Sequence, residues 1–328
     1  MQGQRGIILI GIILLIGLFA AQIQAEPTVK LHGFTQATVI KTQDNKGFVF
    51  DFDRVRLIAK GKLNDLAEYK LQVDFMKTDT DVDKDGETPA IIKDAEIKIK
   101  VYENIKVSVG KFKTPIGMEF CASGAKLDLV KRGLGQALVF ERNVGAMVHA
   151  SKLGQIGFGF AAGAFNSGPN QANTVGDPAK GNDYTVAGRL SINPQKVVYV
   201  QTYFGSALTS VDQQESVSIF GVGTHVKLMK ELSIKGEFMS RTDAQNNDAD
   251  GTDFYAQAGY LLHPGIEPVV KYEQLDVTND AMDQANITVG FNYYLNPDNI
   301  HQTKIMINYV ESDLDGQDAI QLMVQAVF

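Results

Sequence analysis

Residues 318–328, D-A-I-Q-L-M-V-Q-A-V-F, decide the fold of this chain. Two kinds of side chain alternate along the stretch: Gln321 and Gln325 share one face, and the other face carries Ile320, Leu322, Val324, Ala326 and Phe328. A period of two indicates a β-strand. In water, an apolar strand that ends on Phe328 would leave an unpaired edge. In a closed membrane barrel the apolar face meets lipid, the Gln face meets a polar lumen, and pairing with the first strand removes the edge.

The first 25 residues are predicted to be a cleaved signal peptide. Arg5 provides the positive start, an apolar run follows from Ile7 to Phe19, and Ala25 precedes the polar Glu26. A membrane anchor is the weaker alternative, because about 13 apolar residues are fewer than the ~20 that a spanning helix needs. The barrel itself is therefore expected to comprise residues 26–328.

Composition excludes several classes of protein. The chain has 31 Lys and Arg against 38 Asp and Glu, a formal net charge of -7 at pH 7, which disfavours a nucleic-acid binder. Its one cysteine, Cys121, allows no internal disulfide, and no Cys/His spacing fits a structural metal. The string from Asp81 to Gly86 copies half of a calcium loop but has Ile92 where a bidentate Glu is needed. Solvated turns are the favoured interpretation, loose divalent-cation sites are the alternative, and no cofactor is predicted.

Alternation and turn residues predict sixteen strands joined by alternately short and long connections. The predicted strands are 29–40, 48–61, 67–77, 91–101, 105–112, 142–151, 155–165, 183–192, 196–205, 217–229, 232–241, 254–262, 267–276, 285–295, 300–310 and 318–328. A single-chain outer-membrane barrel has an even strand number and both termini on the side of the short turns. The sequence therefore predicts an all-β, antiparallel, up-and-down transmembrane barrel.

Alternation also assigns charged side chains to the lumenal face of the predicted barrel. In the second strand Arg54, Arg56 and Lys60 share that face, whereas Asp51 and Asp53 break the alternation and are expected near the outer rim. The third and fourth strands are expected to point further charges inward: Glu68, Lys70, Asp74, Asp94, Glu96 and Lys98. Because an unpaired buried charge costs several kcal/mol, such a lumen must contain water. Sixteen strands enclose a channel, whereas about eight enclose only side chains.

The most specific motif is V-G-K-F-K-T-P-I-G-M-E at 109–119. Together with Arg54-x-Arg56, Asp94-Ala-Glu96, E-R-N-V-G at 141–145 and F-N-Y-Y-L-N at 291–296, it resembles the phosphate-selective porin O and P family of Gram-negative bacteria. The resemblance covers essentially the whole chain after residue 25. It implies sixteen-stranded trimers whose third extracellular loop folds into the barrel and narrows it, and it assigns that constriction loop to residues 113–141.

The same resemblance implies a ladder of lumenal arginines that leads phosphate to a lysine cluster, partly carried by the fifth loop. Arg54, Arg56 and Arg142 match such a ladder. The fifth loop, 206–216, departs from the family because it has no lysine and contains Asp212 and Glu215. This departure argues against selectivity for phosphate.

Most of the long loops are acidic, but the segment from residue 111 to residue 142 is basic. Its bases are Lys111, Lys113, Lys126, Lys131, Arg132 and Arg142. A basic constriction between walls of low dielectric constant favours anions, although the lumenal carboxylates of the third and fourth strands weaken the effect. These bases, with the lumenal Arg and Lys residues of strands two to four, are the candidate pore residues.

The sequence predicts a trimeric outer-membrane porin for passive diffusion of small hydrophilic solutes, with a modest preference for anions or only weak selectivity. A non-conducting barrel with an adhesive or envelope-structural role is the alternative. No enzyme is predicted, because nothing brings a Ser or Asp to any of the five scattered histidines. Expected partners are two further copies of the chain, membrane lipid and lipopolysaccharide, small anions, and the barrel insertion machinery, for which Phe328 is the expected signal.

Overall fold

The computed structural model describes residues 26–76, 91–166, 184–208, 216–229, 231–243, 250–262, 265–278 and 283–328. The predicted signal peptide, 1–25, lies outside these ranges. So do the acidic string 81–86 and the central part of the fifth loop, 209–215.

Sixteen antiparallel strands form one closed barrel in which every strand pairs with its neighbours in sequence and β1 pairs with β16. The strands are β1 (Lys30–Thr42), β2 (Val49–Lys62), β3 (Ala67–Asp74), β4 (Ile92–Tyr102), β5 (Ile105–Lys113), β6 (Arg142–Leu153), β7 (Phe158–Asn166), β8 (Tyr184–Ile192), β9 (Val198–Leu208), β10 (Ser216–Leu228), β11 (Leu232–Asp243), β12 (Gly251–Tyr260), β13 (Ile266–Val277), β14 (Gln284–Tyr294), β15 (Thr303–Ser312) and β16 (Ala319–Val327). The predicted fold class and strand number are confirmed, and each boundary differs from the predicted one by three residues or fewer.

The two faces of the wall have opposite polarity. In β14, Asn286 and Thr288 are buried in the interior, whereas Ile287 and Val289 are 46% and 45% exposed on the outside. Such an inverted pattern, apolar outside and polar inside, suits a wall between lipid and water. Among the helices that the structure describes, none has the length and apolar character needed to cross a membrane.

A bulge in β2 explains the break in alternation at Asp51 and Asp53. Gln36 of β1 pairs with Arg54 and Ala37 pairs with Phe52, so Asp53 is the extra residue of β2. The expected position of Asp53 near the outer rim is wrong, because its carboxylate forms ion pairs inside the barrel with Arg54 and with Lys131.

The connection between β5 and β6, residues 114–141, is called loop 3 below. It contains the short helix α1 (Met118–Cys121) and 3₁₀ turns at Gly124–Lys126 and Leu134–Ala137. Its side chains Ile116, Val130 and Phe140 are fully buried, and they pack with inward-facing side chains of the wall. Loop 3 therefore contributes a large part of the hydrophobic core.

The seam between β1 and β16 depends on a glycine beneath an aromatic ring. The Gly33 N–H donates to the Phe328 carbonyl at 2.9 Å, and the Phe328 N–H donates to the Gly33 carbonyl at 3.0 Å. A Cβ added at Gly33 would lie 2.7 Å from Cζ of the Phe328 ring and would also meet the Arg56 carbonyl oxygen. Only glycine leaves space for this close approach.

Gly33→Ala is expected to weaken closure of the barrel, because the added methyl group overpacks the seam, at a cost of about 1–3 kcal/mol. The midpoint of urea unfolding of the refolded barrel and the fraction of heat-modifiable protein on gels should both fall. Gly188→Ala in β8 is the matched control, because a Cβ there would lie 3.5 Å from its nearest neighbour, an ordinary contact. Equal stability of the two variants would contradict this description of the seam.

Candidate functional site

Loop 3 contacts the inner wall over much of the circumference. Close to its own start, the loop accepts hydrogen bonds from Lys113 of β5. Among the described residues its other hydrogen bonds and ion pairs to the wall reach eight strands, β11 to β16, β1 and β2: Lys235, Glu237, Gln257, Lys271, Glu273, Asn292, Lys304, Asn308, Gln325, Gln36 and Asp53. These contacts set the loop against one side of the lumen. The described wall of β3 to β6 lies on the other side and faces a cavity.

Wall side chains on β15, β16 and β1 bind the backbone of loop 3. Asn308 accepts from the Val130 N–H at 2.8 Å, and Lys304 donates to the Leu127 carbonyl. The amides of Gln36 and Gln325 donate to the carbonyls of residues 124 and 125, each at 3.0 Å. Because buried backbone groups need partners, these residues make the path of the loop possible.

The contacts with β11 and β13 are charged. The Glu237 carboxylate accepts from the backbone N–H groups of Met118 and Glu119 at the start of α1. The Lys271 ammonium, only 1% exposed, lies 3.1 Å from the Glu119 carboxylate and 2.9 Å from that of Glu273. Sequence reasoning missed these residues, although the period of two along β13 places Glu267, Lys271 and Glu273 on one face.

Asp128 joins loop 3 to β11 and β12. Burial alone would raise the pKa of the Asp128 carboxyl, but the Lys235 ammonium and the Gln257 amide, at 2.6 Å, hold this pKa below its ordinary value. A depressed carboxyl pKa means that the ion pair stabilises the loop above the ordinary pKa and loses that effect as the pH falls through the depressed one. Asp128 is therefore an anionic anchor at neutral pH.

A cavity of about 240 Å³, called the main cavity below, separates residues 121–124 of loop 3 from the wall of β1 to β6. Four bases and two acids line it: Arg56, Lys70, Lys113, Arg142, Asp94 and Glu96. Its apolar lining consists of Phe34, Phe112 and Met147. The structure thus brings together four of the bases that the sequence singled out.

Ion pairs hold the arginines of this cavity in place. Arg56 binds Asp74 through Nε at 2.8 Å, and Arg142 binds Asp94 through Nε at 2.9 Å. Lys70 shares Asp94 at 2.6 Å. These pairs use Nε, and among the described residues the terminal amino groups of both guanidinium ions have no ion-pair partner. Such a planar fork suits carboxylate or phosphate oxygens.

A second group of predicted bases lies where loop 3 meets β2. Arg54 and Lys131 both pair with Asp53, which offsets part of their charge. Arg132 lies over the Phe120 ring at 5.9 Å. Burial, with the positive charge of Arg54, lowers the pKa of Arg132 to about 10, so the guanidinium is still charged at neutral pH.

The four remaining bases do not line the main cavity. Lys98 pairs with Glu96 at 3.1 Å, Lys60 lines a cavity of about 500 Å³ among the ends of β1 to β4, and Lys126 lines one of about 170 Å³ facing β9 to β12. Lys111 is buried, and the register sets it opposite residues 95 and 144, which face outward.

The expected lumenal position of Lys111 is not supported. The next residue, Phe112, lines the cavity, and neighbouring residues of a strand point to opposite faces.

Lys113 lies at the edge of this site. It is the last residue of β5, not the first of the loop, and its ammonium donates to the carbonyls of Phe120 and Ala122, the latter at 2.8 Å.

Among the residues that the structure describes, no group of His, Cys, Asp and Glu is arranged to hold a metal ion.

The single thiol of Cys121 lines the main cavity and can report on its potential. The rate of an anionic methanethiosulfonate reagent divided by that of a cationic one is expected to be higher for the folded protein than for a free thiol in solution, because the bases around Cys121 outnumber the acids. This ratio, measured by mass spectrometry, should fall at high salt and in Arg142→Gln. Cys121→Ser is the blank, and a ratio no higher than that of the free thiol would show that the cavity is not positive.

Comparison with known proteins agrees with this geometry. Residues 32–199, just over half of the chain, match the family described as phosphate-selective porin O and P. No curated protein sequence matches the chain.

Solved outer-membrane proteins share its fold. The anion-selective porin from Comamonas acidovorans is 12% identical, with a TM-score of 0.67 over 92% of this chain and 100% of that one. OmpT of Vibrio cholerae is 13% identical, with a TM-score of 0.63 over 94% of this chain and 99% of that one. The channel DcaP of Acinetobacter baumannii is also 13% identical, with a TM-score of 0.61 over 94% and 99%. The chain belongs to the phosphate-selective porin O and P family and is a channel-type barrel of the bacterial outer membrane.

Proposed function

We propose that the protein is a porin for passive diffusion of small hydrophilic solutes, with a modest preference for anions. The observation that carries this proposal is the cavity between loop 3 and the wall of β1 to β6, where bases outnumber acids by four to two. Loop 3 is the constriction, since it packs against the wall from β9 to β16 and leaves the passage on the side of β3 to β6.

The preference for anions is modest because carboxylates accompany the bases. Asp74 and Asp94 neutralise part of the charge of Arg56, Arg142 and Lys70. A fixed charge near a narrow, low-dielectric passage changes the local concentration of ions more than the same charge in bulk salt. The anion-selective porin among the similar folds supports this direction, although the likeness itself is one of fold. Phosphate selectivity is not proposed, because the fifth loop lacks lysine.

We also propose that the protein assembles as a homotrimer, that the signal peptide is cleaved near residue 25, and that Phe328 is read during membrane insertion. Support for the trimer comes from family membership and from the similar fold of a Vibrio cholerae OmpT described as a trimer form. Native mass spectrometry of protein extracted from membranes would give both the subunit number and the mass after cleavage. A monomer of uncleaved mass would contradict these assignments. Lipopolysaccharide is the expected lipid neighbour of the outer rim.

A non-conducting barrel is the alternative, and no enzymatic activity is proposed. The two functions differ in planar bilayers, where stepwise conductance supports the pore. The cavity favours conduction, because charged residues at its boundary would be costly to bury without water.

In a KCl gradient the wild-type channel is expected to give a reversal potential of anion sign. Arg56→Gln and Arg142→Gln should each shift it toward cations. A unit charge about 4 Å from an ion is worth about 1 kcal/mol even in bulk water, a factor of about five in the permeability ratio. Arg54→Glu and Lys131→Glu should act in the same direction.

Neutralising Asp81, Asp83 and Asp85 together is the control for this experiment. These acids belong to a long outer loop in the sequence prediction, and a Debye length of about 10 Å at 0.1 M salt would screen them from the constriction. Cation preference in the wild type, or a larger shift from the outer acids than from the two arginines, would refute the assignment of the filter.

A further inference from the structure

Another, much smaller cavity lies on the other side of loop 3, against β11 and β12. Its volume is about 10 Å³, the space that one water molecule needs. Three carboxyl groups line it, those of Glu119, Glu237 and Asp253, together with Arg132 and Gly135. The mechanism of conduction proposed above does not use this pocket.

The charges around the pocket do not balance. Glu273 adds a fourth carboxyl group through Lys271, which lies between it and Glu119. Arg132 and Lys271 are the two bases of the group among the described residues, so four ionised carboxylates would leave two excess negative charges in a buried site, and one proton would halve that excess. Burying uncompensated charge costs several kcal/mol. The group therefore needs a further positive charge.

Hydrogen bonds identify the carboxyl group that is least supported as an anion. Glu237 accepts from the N–H groups of Met118 and Glu119 and, at 2.9 Å, from the Tyr203 hydroxyl. Glu119 and Glu273 each accept a backbone N–H of loop 3, at 2.7 and 3.0 Å. Asp253 is 2% exposed, and its Oδ1 has no donor among the residues that the structure describes.

We propose that this carboxyl cluster holds one proton at neutral pH, on Asp253, and that the proton keeps loop 3 seated against β11 to β13. The protonated carboxyl donates its hydrogen to an oxygen in the pocket, either a neighbouring carboxylate or a bound water. A proton is the positive charge that fits, because the described acidic residues form no metal-binding group.

Loss of the proton acts directly on the loop. Gly135 lies so close to Asp253 that a Cβ added to Gly135 would overlap the Asp253 carboxylate. Ionisation of Asp253 therefore places a negative charge directly against the backbone of loop 3. The facing charged and titratable groups are Glu119 and Arg132 on the loop, Glu237 on β11, Tyr203 on β9, Tyr255 on β12, and Lys271 and Glu273 on β13. Arg241 and Asp243 on β11 pair with each other. Alkaline pH should therefore release loop 3. Any change in ionic current that follows this release rests on the proposed function of loop 3 as the constriction.

The test uses hydrogen–deuterium exchange of peptides from loop 3 in the refolded full-length barrel. Wild-type protein is expected to lose protection of these peptides between neutral and alkaline pH, after correction for intrinsic exchange. Asp253→Asn, a neutral isostere, should stay protected at both. Glu267→Gln is the matched control: Glu267 is a buried wall carboxylate that accepts from Tyr294 and Asn292, and it lines neither cavity. That variant should behave as the wild type does.

Infrared spectroscopy provides a second readout that does not depend on a variant folding. Wild-type protein at neutral pH should show the C=O stretch of a protonated carboxylic acid, and that band should disappear at alkaline pH. Absence of the band in the wild type, pH-independent protection of loop 3, or a response to the identity of the alkali ion would overturn the proposal. A barrel that never conducts but releases its loop at alkaline pH would refute the proposed porin function and leave this inference standing.

Discussion

Inside a lipid bilayer every backbone N–H and C=O must find its partner within the protein, and the pairing of β1 with β16 meets this requirement for both edges of the sheet. The register at this seam runs from Phe34 and Val327 to Thr42 and Ala319 without a break. Once the wall is closed, its two faces lie in two solvents. Apolar residues therefore face outward, and the residues between them face a lumen that must be polar.

A barrel of sixteen strands is too wide for its own wall side chains to fill. Loop 3 occupies this space, which places its backbone away from bulk water. The wall supplies the missing partners, as with Asn308 for the Val130 N–H and Lys304 for the Leu127 carbonyl. Polar residues of the wall thus differ in their surroundings. Most of those from β11 to β16 and on β1 hold the loop, as do Asp53 on β2 and Lys113 on β5, whereas Arg56, Lys70 and Arg142 line the cavity.

The carboxylates of the wall also have different partners on the two sides of the barrel. On β2 to β6, Asp74 and Asp94 fix the guanidinium groups of Arg56 and Arg142 through Nε and leave the remaining donors toward the cavity. On β11 to β13, Glu237 and Glu273 instead bind backbone N–H groups of loop 3. Several carboxylates of the lumen are therefore structural partners of the loop backbone.

The sequence by itself determined the strands, their number and the face on which most charges lie, because alternation is a local property that responds only to the solvents on the two sides of the wall. It thereby identified Arg56 and Lys70, and the resemblance to the porin family added Arg142; these three bases line one cavity. It failed where a single residue changes the phase, as at the Asp53 bulge. Lys111 was counted with the constriction because of its charge, although alternation with Phe112 sets it opposite an outward-facing residue.

Only the tertiary structure decided which wall loop 3 covers and which bases anchor it. The contact of Val130 with Asn308 joins residues 178 positions apart, and that of Lys271 with Glu119 joins residues 152 apart. Neither pair has a local signature, since each depends on packing across the lumen. Lys271 and Arg56 have the same inward-facing pattern in sequence, but Lys271 is buried beneath the loop and Arg56 lines the cavity on the other side. That difference arises from the side of the barrel on which the loop finds partners for its buried backbone.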